Sequence, residues 1–241
     1  MKPVVFLGPT LGRDVAESLC DAEFRAPAAM GDITRAACEA PPAIVLIDGV
    51  FEDRPSVWHK EILLAMSRGV GVIGASSMGA LRAAELDSQG MLGAGGVYDA
   101  YATGVLGDDD EVAVVHGPAE TGYLPLSDAM VDIRDAVSAA AAAGIFSEDS
   151  AGALIRAAKQ RHFKQRHAAE VIRSVLPAGE AEPVLRWFSA ERHGLKARDA
   201  ITVLRHLDAF VAIARAKASG APQFIPTVYL RRLEPFGYRH P

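Results

Sequence analysis

Cysteine, excess basic charge and long apolar runs are all scarce in this sequence of 241 residues. Its two cysteines, Cys20 and Cys38, are too few for a fold held by a framework of disulfides. The formal net charge is -5 at pH 7, which argues against a nucleic-acid-binding protein, since neutralising phosphates needs a basic face. No apolar segment approaches the roughly 20 residues that cross a bilayer. We therefore expect a cytoplasmic protein with no nucleic-acid or membrane partner, and we interpret residues 1–7 as a first strand and not as an export signal.

Half of the residues are hydrophobic, which is enough to bury the core of one large domain or of two small ones. The first half alternates short β-rich runs with helical stretches, a pattern typical of βα units around a parallel sheet. The predicted strands are residues 4–7, 43–48 and 70–74, with a weaker one at 22–25. The predicted helices between them are residues 13–20, 33–39 and 57–68.

The second half is alanine-rich and helical in pattern from about residue 127. We expect an α/β fold with an N-terminal parallel-sheet βα core, residues 1–126, followed by a mostly helical part, residues 127–241, that forms a subdomain or a cover and offers a partner-docking surface. Its predicted helices are residues 127–143, 147–161, 167–175 and 198–218. Between the halves, the glycine-rich residues 90–107 predict loops, and residues 112–116 predict a short strand.

The segment Gly74–Gly79, sequence GASSMG, follows the apolar run that predicts the third main strand. Its Ala75-x-Ser77-x-Gly79 frame nearly matches the G-x-S-x-G nucleophile elbow, in which small neighbours allow a sharp turn to expose a serine hydroxyl. Ser77 is therefore the candidate nucleophile, with helix N-terminal N–H groups available to stabilise an oxyanion. The alternative is that Ser77 only caps the helix, with Ser76 as a second possible cap.

Two side chains upstream are candidate bases for Ser77. Lys60 qualifies only if burial keeps its amine neutral, and the alternative for it is an ordinary surface lysine. His59 competes with it because histidine needs no large shift to act as a base. Arg82 is a candidate for binding a carboxylate, although an i,i+3 pair with Glu85 also explains it.

Other polar groups have simpler explanations. The acidic run Asp108–Glu111 is more typical of a solvated turn than of a cation site. His116 can face the site, but a histidine that ends an apolar run is usually a structural edge residue. The loop Gly8–Gly12 follows a predicted strand and can hold an anion or a peptide carbonyl. The basic residues between Arg156 and Arg173 predict a solvated helix face or a surface for an acidic partner.

Four segments resemble the TfuA family, and the resemblance extends over about residues 6–134. They are IDGVF at Ile47–Phe51, VWHKEIL at Val57–Leu63, GASSMGALRAAEL at Gly74–Leu86 and DDEVAV at Asp109–Val114.

This resemblance implies a partner of YcaO enzymes in the biosynthesis of ribosomally made, post-translationally modified peptides, where an amide oxygen is exchanged for sulfur to give a thioamide. A TfuA-like protein would release sulfur from a thiocarboxylated, ThiS-like carrier protein through a Ser-Lys dyad and help YcaO engage its precursor peptide. By the aligned motifs the dyad falls on Ser77 and Lys60, with Ser76, Gly79, Arg82 and His59 as possible supporting residues. No cofactor or metal is expected in this chain, because ATP and Mg²⁺ would belong to YcaO.

Two alternatives remain at this point. In the first, the chain is a non-catalytic adaptor that strengthens YcaO binding to its peptide, and a Lys60 that lies exposed and far from Ser77 would favour it. In the second, it is a general α/β serine hydrolase for small esters or peptides, which would need an open pocket.

Overall fold

The computed structural model describes residues 1–189, 194–220 and 224–238. Within these residues, the strands form a single parallel sheet in the order β2-β1-β3-β4-β5. The strands are β1 Val4–Phe6, β2 Glu23–Arg25, β3 Ala43–Leu46, β4 Gly71–Ala75 and β5 Leu92–Ala94. The parallel sheet and the helices around it confirm the predicted α/β class, and the weak strand at 22–25 is present as β2.

The α-helices of the described residues follow the strands and continue through the second half. They are α1 Arg13–Leu19, α2 Asp32–Cys38, α3 His59–Ser67, α4 Met78–Leu86, α5 Gly96–Ala102, α6 Met130–Ala142, α7 Glu148–Lys159, α8 Ala168–Val175, α9 Ala178–Ser189, α10 Leu195–Arg205 and α11 Leu207–Ser219.

The central strands are buried on both faces. Successive side chains of a strand point to opposite sides of the sheet, and helices cover both sides. On one face, Phe6, Ile44 and Val72 pack with α2 and α3. On the other, Val45 and Ile73 pack with residues from α1, α10 and α11. The sheet is thus the middle of three layers, and one of its covers comes from the end of the chain.

The helices α6 to α9 share a hydrophobic cluster separate from those on the two sheet faces, with Met130, Leu154 and Val184 among its buried members. The helical part therefore combines a cluster of its own with a cover for the sheet, the two forms expected from the sequence. The predicted division after residue 126 stays a prediction, and residues 190–193, 221–223 and 239–241 of that part lie outside the described residues.

Several predicted elements were wrong. Residues 90–107 contain β5 and α5, because Gly93 leaves room for the Tyr98 ring and Gly95, at φ +94°, precedes the first turn of α5. The predicted strand at 112–116 is absent, and in that segment only His116 forms an isolated bridge, with Pro125. The predicted helix 198–218 is divided at His206, whose φ of -114° and ψ of 27° leave helical geometry. Helix α9 was not predicted, because its interior Pro183 disfavours a helix.

None of the helices in the described residues has the length and apolar character that crossing a membrane requires.

Candidate functional site

The turn between β4 and α4 places Ser77 at the carboxyl edge of the sheet. The turn is tight because α4 approaches the sheet closely, and the Gly79 N–H donates to the Ile47 carbonyl at 3.2 Å. A Cβ at Gly79 would lie 1.7 Å from the Leu46 carbonyl oxygen, and one at Gly74 would lie 2.0 Å from the Gly79 carbonyl oxygen. Glycine at both positions is therefore required by the close contact of helix and strand backbones.

The two serines of the turn have different backbone conformations. Ser76 has φ +67°, in the left-handed region that non-glycine residues rarely occupy, and is fully buried. Ser77 follows with φ -119° and ψ -127° and is the N-cap residue of α4. The strain of the turn thus falls on Ser76, while Ser77 is the serine that lines a cavity.

The Ser77 side chain does not act as a helix cap. Its oxygen accepts no hydrogen bond from the first turn of α4, although capping is the usual reason for serine at this position. Its own N–H donates to Ala75 at 2.8 Å, whereas no acceptor for the Met78 N–H is found among the described residues. A free N–H on the residue after a nucleophile is the position of an oxyanion-hole donor in nucleophile elbows. The turn therefore offers a hydroxyl and an unused donor side by side.

A cavity of about 530 Å³ opens at this edge of the sheet. Its lining includes residues that follow three neighbouring strands: Pro9 after β1, Asp48 after β3 and Ser77 after β4. Ligands of open parallel sheets bind at the carboxyl ends of the strands, where the strand order reverses, which here is between β1 and β3. The rest of the lining comes mainly from the start of α4, from the 107–116 segment and from Phe163 and Lys164.

Asp48 holds the loop after β1 in place. Its buried carboxylate accepts hydrogen bonds from the Gly8 N–H at 2.9 Å, the Thr10 N–H at 3.1 Å and the Thr10 hydroxyl at 2.6 Å. The loop Gly8–Gly12 therefore does bind a carboxylate, as its position allowed, but that carboxylate belongs to the chain itself.

Arg82 lines the cavity and is fixed by two acceptors. Its Nε donates to the Val57 carbonyl at 3.1 Å, and its Nη1 donates to Glu85 at 2.6 Å. The same Glu85 oxygen lies 2.8 Å from His59 Nε2. Although desolvation of the Glu85 carboxylate raises its pKa, the hydrogen bonds from His59 and Arg82 outweigh it and leave the pKa lowered. Arg82 and His59 therefore meet at one carboxylate, and among these three side chains only Arg82 and Glu85 reach the cavity.

Lys60 lies elsewhere. Its Nζ donates to the Ile225 carbonyl at 3.4 Å and lies 5.8 Å from the centre of the Phe224 ring. Among the described residues, the cavity lining includes Ser77 but not Lys60. The Ser-Lys pairing stays a prediction, and the contacts of Lys60 in this structure are with the C-terminal residues 224–225.

The acidic run next to the cavity forms a partly buried ion-pair cluster. The prediction of a solvated turn was therefore wrong. Asp108, Asp110 and Glu111 place carboxylate oxygens within 4.8 Å of one another, the spacing of a possible metal site. Lys159 Nζ already occupies that position, 3.0 Å from Asp108 and 3.0 Å from Glu111 and hydrogen-bonded to Asp110. The carboxylates thus converge on an ammonium group of the chain.

Two arginines complete this cluster. Arg134 forms a two-point hydrogen bond with Glu111 at 2.9 and 3.0 Å. Arg166 is fully buried and donates to the Asp110 side chain at 2.5 Å and to the Asp110 carbonyl at 3.0 Å. This cluster was not predicted, because its bases lie 23 to 56 residues away from their acids along the chain.

The basic stretch between Arg156 and Arg173 is largely neutralised within the chain. Lys159 and Arg166 pair with Asp110, Arg161 pairs with Glu170 at 3.1 Å, and Lys164 pairs with Glu52 at 2.8 Å. The acidic partners of these four residues all belong to the same chain, so these charges are not available to an acidic partner protein.

His116 lines the same cavity as Ser77. Its Nδ1 lies 2.8 Å from the Gly117 carbonyl oxygen, and the Tyr123 ring meets it edge to face at 5.7 Å. In the sequence, the only indication that His116 could reach the site was its position at the end of an apolar run.

The sequence of residues 48–167 matches a family model whose description is TfuA-like protein. The matched region includes Asp48, Ser77, the 107–116 segment and Lys164, so it contains most of the cavity lining. A comparison with curated proteins found no match.

Proposed function

Because the chain belongs to the TfuA-like protein family through residues 48–167, we propose that it is an accessory hydrolase of YcaO-dependent peptide thioamidation. Its substrate in this proposal is a thiocarboxylated, ThiS-like sulfur-carrier protein, from which it releases sulfur for the YcaO enzyme and its precursor peptide. The observation that carries the proposal is the Ser77 turn, where an uncapped hydroxyl and a Met78 N–H with no acceptor among the described residues border one cavity.

The reaction divides into two acyl transfers. Ser77 Oγ attacks the thiocarboxylate carbonyl carbon and its hydroxyl proton goes to a base. The base passes this proton to the departing sulfur as the C–S bond breaks, so that hydrosulfide is released. Water then attacks the acyl-serine, which frees the carrier with a terminal carboxylate and restores the serine hydroxyl. Donation from the Met78 N–H would stabilise the oxyanion in both steps.

The substrate is an anion, so its carbonyl resists attack unless positive charge is near. Arg82 is the candidate for this charge on the cavity wall, where the Val57 carbonyl and Glu85 fix its orientation, although its ion pair with Glu85 offsets part of that charge. Lys60 is the base that the family resemblance implies. To act on Ser77 it would have to leave the Ile225 carbonyl and enter the cavity.

The placement of Lys60 favours a second candidate function. Contacts of this side chain with residues 224–225, and its absence from the lining formed by the described residues, are what a non-catalytic adaptor would show. In that case the chain strengthens the complex of YcaO with its peptide, and Ser77 takes no part in chemistry.

The deciding experiment mixes the purified chain with a thiocarboxylated ThiS-like carrier and follows sulfide release and carrier mass. We expect release by the wild-type protein and at least a 100-fold loss in Ser77→Ala. Ser76→Ala is the matched control, because this neighbouring hydroxyl is buried away from the cavity and should be dispensable.

Absence of sulfide release, with YcaO affinity for its peptide still raised by the chain, would replace the hydrolase with the adaptor. Turnover of simple chromogenic esters without any carrier protein would instead indicate a general serine hydrolase.

A further inference from the structure

The structure leaves the proton from Ser77 without an assigned acceptor, since Lys60 lies against residues 224–225. Among the described residues that line the cavity, His116 is the single imidazole. Histidine is the side chain that accepts a proton near neutral pH without a large perturbation.

The contacts of His116 fix its tautomer. A carbonyl oxygen only accepts hydrogen bonds, so the short contact with the Gly117 carbonyl requires the proton on Nδ1. In the neutral ring, Nε2 is then the nitrogen with a free lone pair. This is the division of roles that a general base needs, with one nitrogen anchored and no hydrogen bond to the other found among the described residues.

The ring is also held in position. The edge-to-face contact with Tyr123 supports it from one side, and a backbone bridge to Pro125 fixes its main chain. It is half-buried, so it combines access to the cavity with a defined orientation.

Among the described residues, five carboxylates lie on the cavity wall. Asp53 and Asp109 are exposed to solvent, and the other three are poorer candidates because they are already paired. Asp48 accepts three hydrogen bonds from Gly8 and Thr10, and Glu85 accepts from both His59 and Arg82. Asp108 pairs with Lys159. Each of these oxygens already stabilises its charge with a donor of the chain.

We propose that His116 is the proton acceptor for Ser77, through Nε2. This proposal rests on the proposed function for the identity of the substrate but not for the activation of Ser77.

As the bond from Oγ to the acyl carbon forms, the hydroxyl proton passes to Nε2. The resulting imidazolium returns that proton to the departing sulfur as the C–S bond breaks. In the second step, Nε2 takes a proton from the attacking water and gives it to Ser77 Oγ as the acyl bond breaks.

The test uses two readouts on the full chain: covalent labelling of Ser77 by a fluorophosphonate, located by mass spectrometry, and sulfide release from the thiocarboxylated carrier. His116→Asn is the main variant, because its amide keeps a donor for the Gly117 carbonyl but removes Nε2. We expect at least a 100-fold slower labelling and release, with unchanged thermal unfolding. In His116→Ala, added imidazole should restore labelling, which a merely structural role of the ring would not allow.

Labelling of His116→Asn at the wild-type rate, or its loss in Lys60→Met instead, would overturn the proposal, as would a wild-type Ser77 that does not label. Wild-type protein that labels at Ser77, depends on His116 and releases no sulfide would support His116 as the base while refuting the thiocarboxylate substrate.

Discussion

Ser76 and Ser77 show how two adjacent residues of one type take opposite roles. The backbone of Ser76 carries the left-handed turn, and its Oγ is buried without a hydrogen-bond partner in the described part of the chain. Ser77 has an ordinary φ and faces the cavity. The small size of Ser76 is compatible with the turn, but its backbone has the conformation that glycine adopts most easily.

The first prediction at this scale is that Ser76→Gly stabilises the protein. Glycine adopts positive φ without the steric cost that other residues have, and the substitution also removes an unpaired buried hydroxyl. We expect the free energy of unfolding in urea to rise by about 1 kcal/mol. Reactivity of Ser77 toward a fluorophosphonate should be unchanged. A loss of stability would show that the Ser76 hydroxyl has a partner that stabilises the turn.

At the scale of elements, the contact between β4 and α4 determines where Ser77 lies. The Gly74 and Gly79 backbones are close enough that neither position has space for a side chain. This contact seats the first turn of α4 against β3, with the Gly79 N–H bonded to the Ile47 carbonyl. The direction of the Ser77 hydroxyl therefore depends on residues that contribute no polar side chain.

The second prediction concerns Gly79→Ala. The added Cβ would meet the Leu46 carbonyl, and because this is backbone, α4 has to move. We expect a loss of about 1–3 kcal/mol in the free energy of unfolding and a large loss of Ser77 labelling. Gly179→Ala, in α9, is the matched control, since no heavy atom lies within 4 Å of its added Cβ. Equal stabilities of the two variants would refute the account of the turn.

The elements also show what the sequence could predict. The strands β1, β3 and β4 could be located because each is an apolar run buried on both faces, and Ser77 followed from the small residues after β4. By contrast, β5 is three residues long with a central glycine, so it has no pattern of its own. The direction of Lys60 depends on Ile225, which is 165 residues away in the chain. Local patterns do not contain contacts of that kind.

At the scale of the molecule, the cavity joins both halves of the chain. Residues after β1, β3 and β4 form part of its wall, and the 107–116 segment and Phe163 form another part. The 107–116 segment is fastened to the helical half by Lys159 of α7, Arg134 of α6 and the buried Arg166. The geometry around Ser77 thus depends on ion pairs that are formed outside the sheet.

The last prediction is a pH-dependent loss of stability in Asp110→Asn. Burial raises the pKa of Asp110, but the hydrogen bonds from Lys159 and Arg166 outweigh it and hold the pKa below its ordinary value. A group whose pKa is lowered by folding stabilises the protein above its unfolded pKa, about 3.9 for aspartate, and this stabilisation is lost as the pH falls through the folded pKa.

We therefore expect Asp110→Asn to lower the free energy of unfolding by about 1.5 kcal/mol at pH 7, the scale of hydrogen bonds to a charged group. The difference from wild type should shrink below about pH 4, as the wild-type carboxyl takes up its proton. Urea unfolding followed by tryptophan fluorescence at pH 7 and pH 3 measures both values. Asp109→Asn is the control, because this exposed neighbour forms no ion pair within the described residues and should change little at either pH. If the loss in Asp110→Asn were equal at the two pH values, the cluster would stabilise the 107–116 segment through shape alone, and charge would not couple the helical half to the cavity.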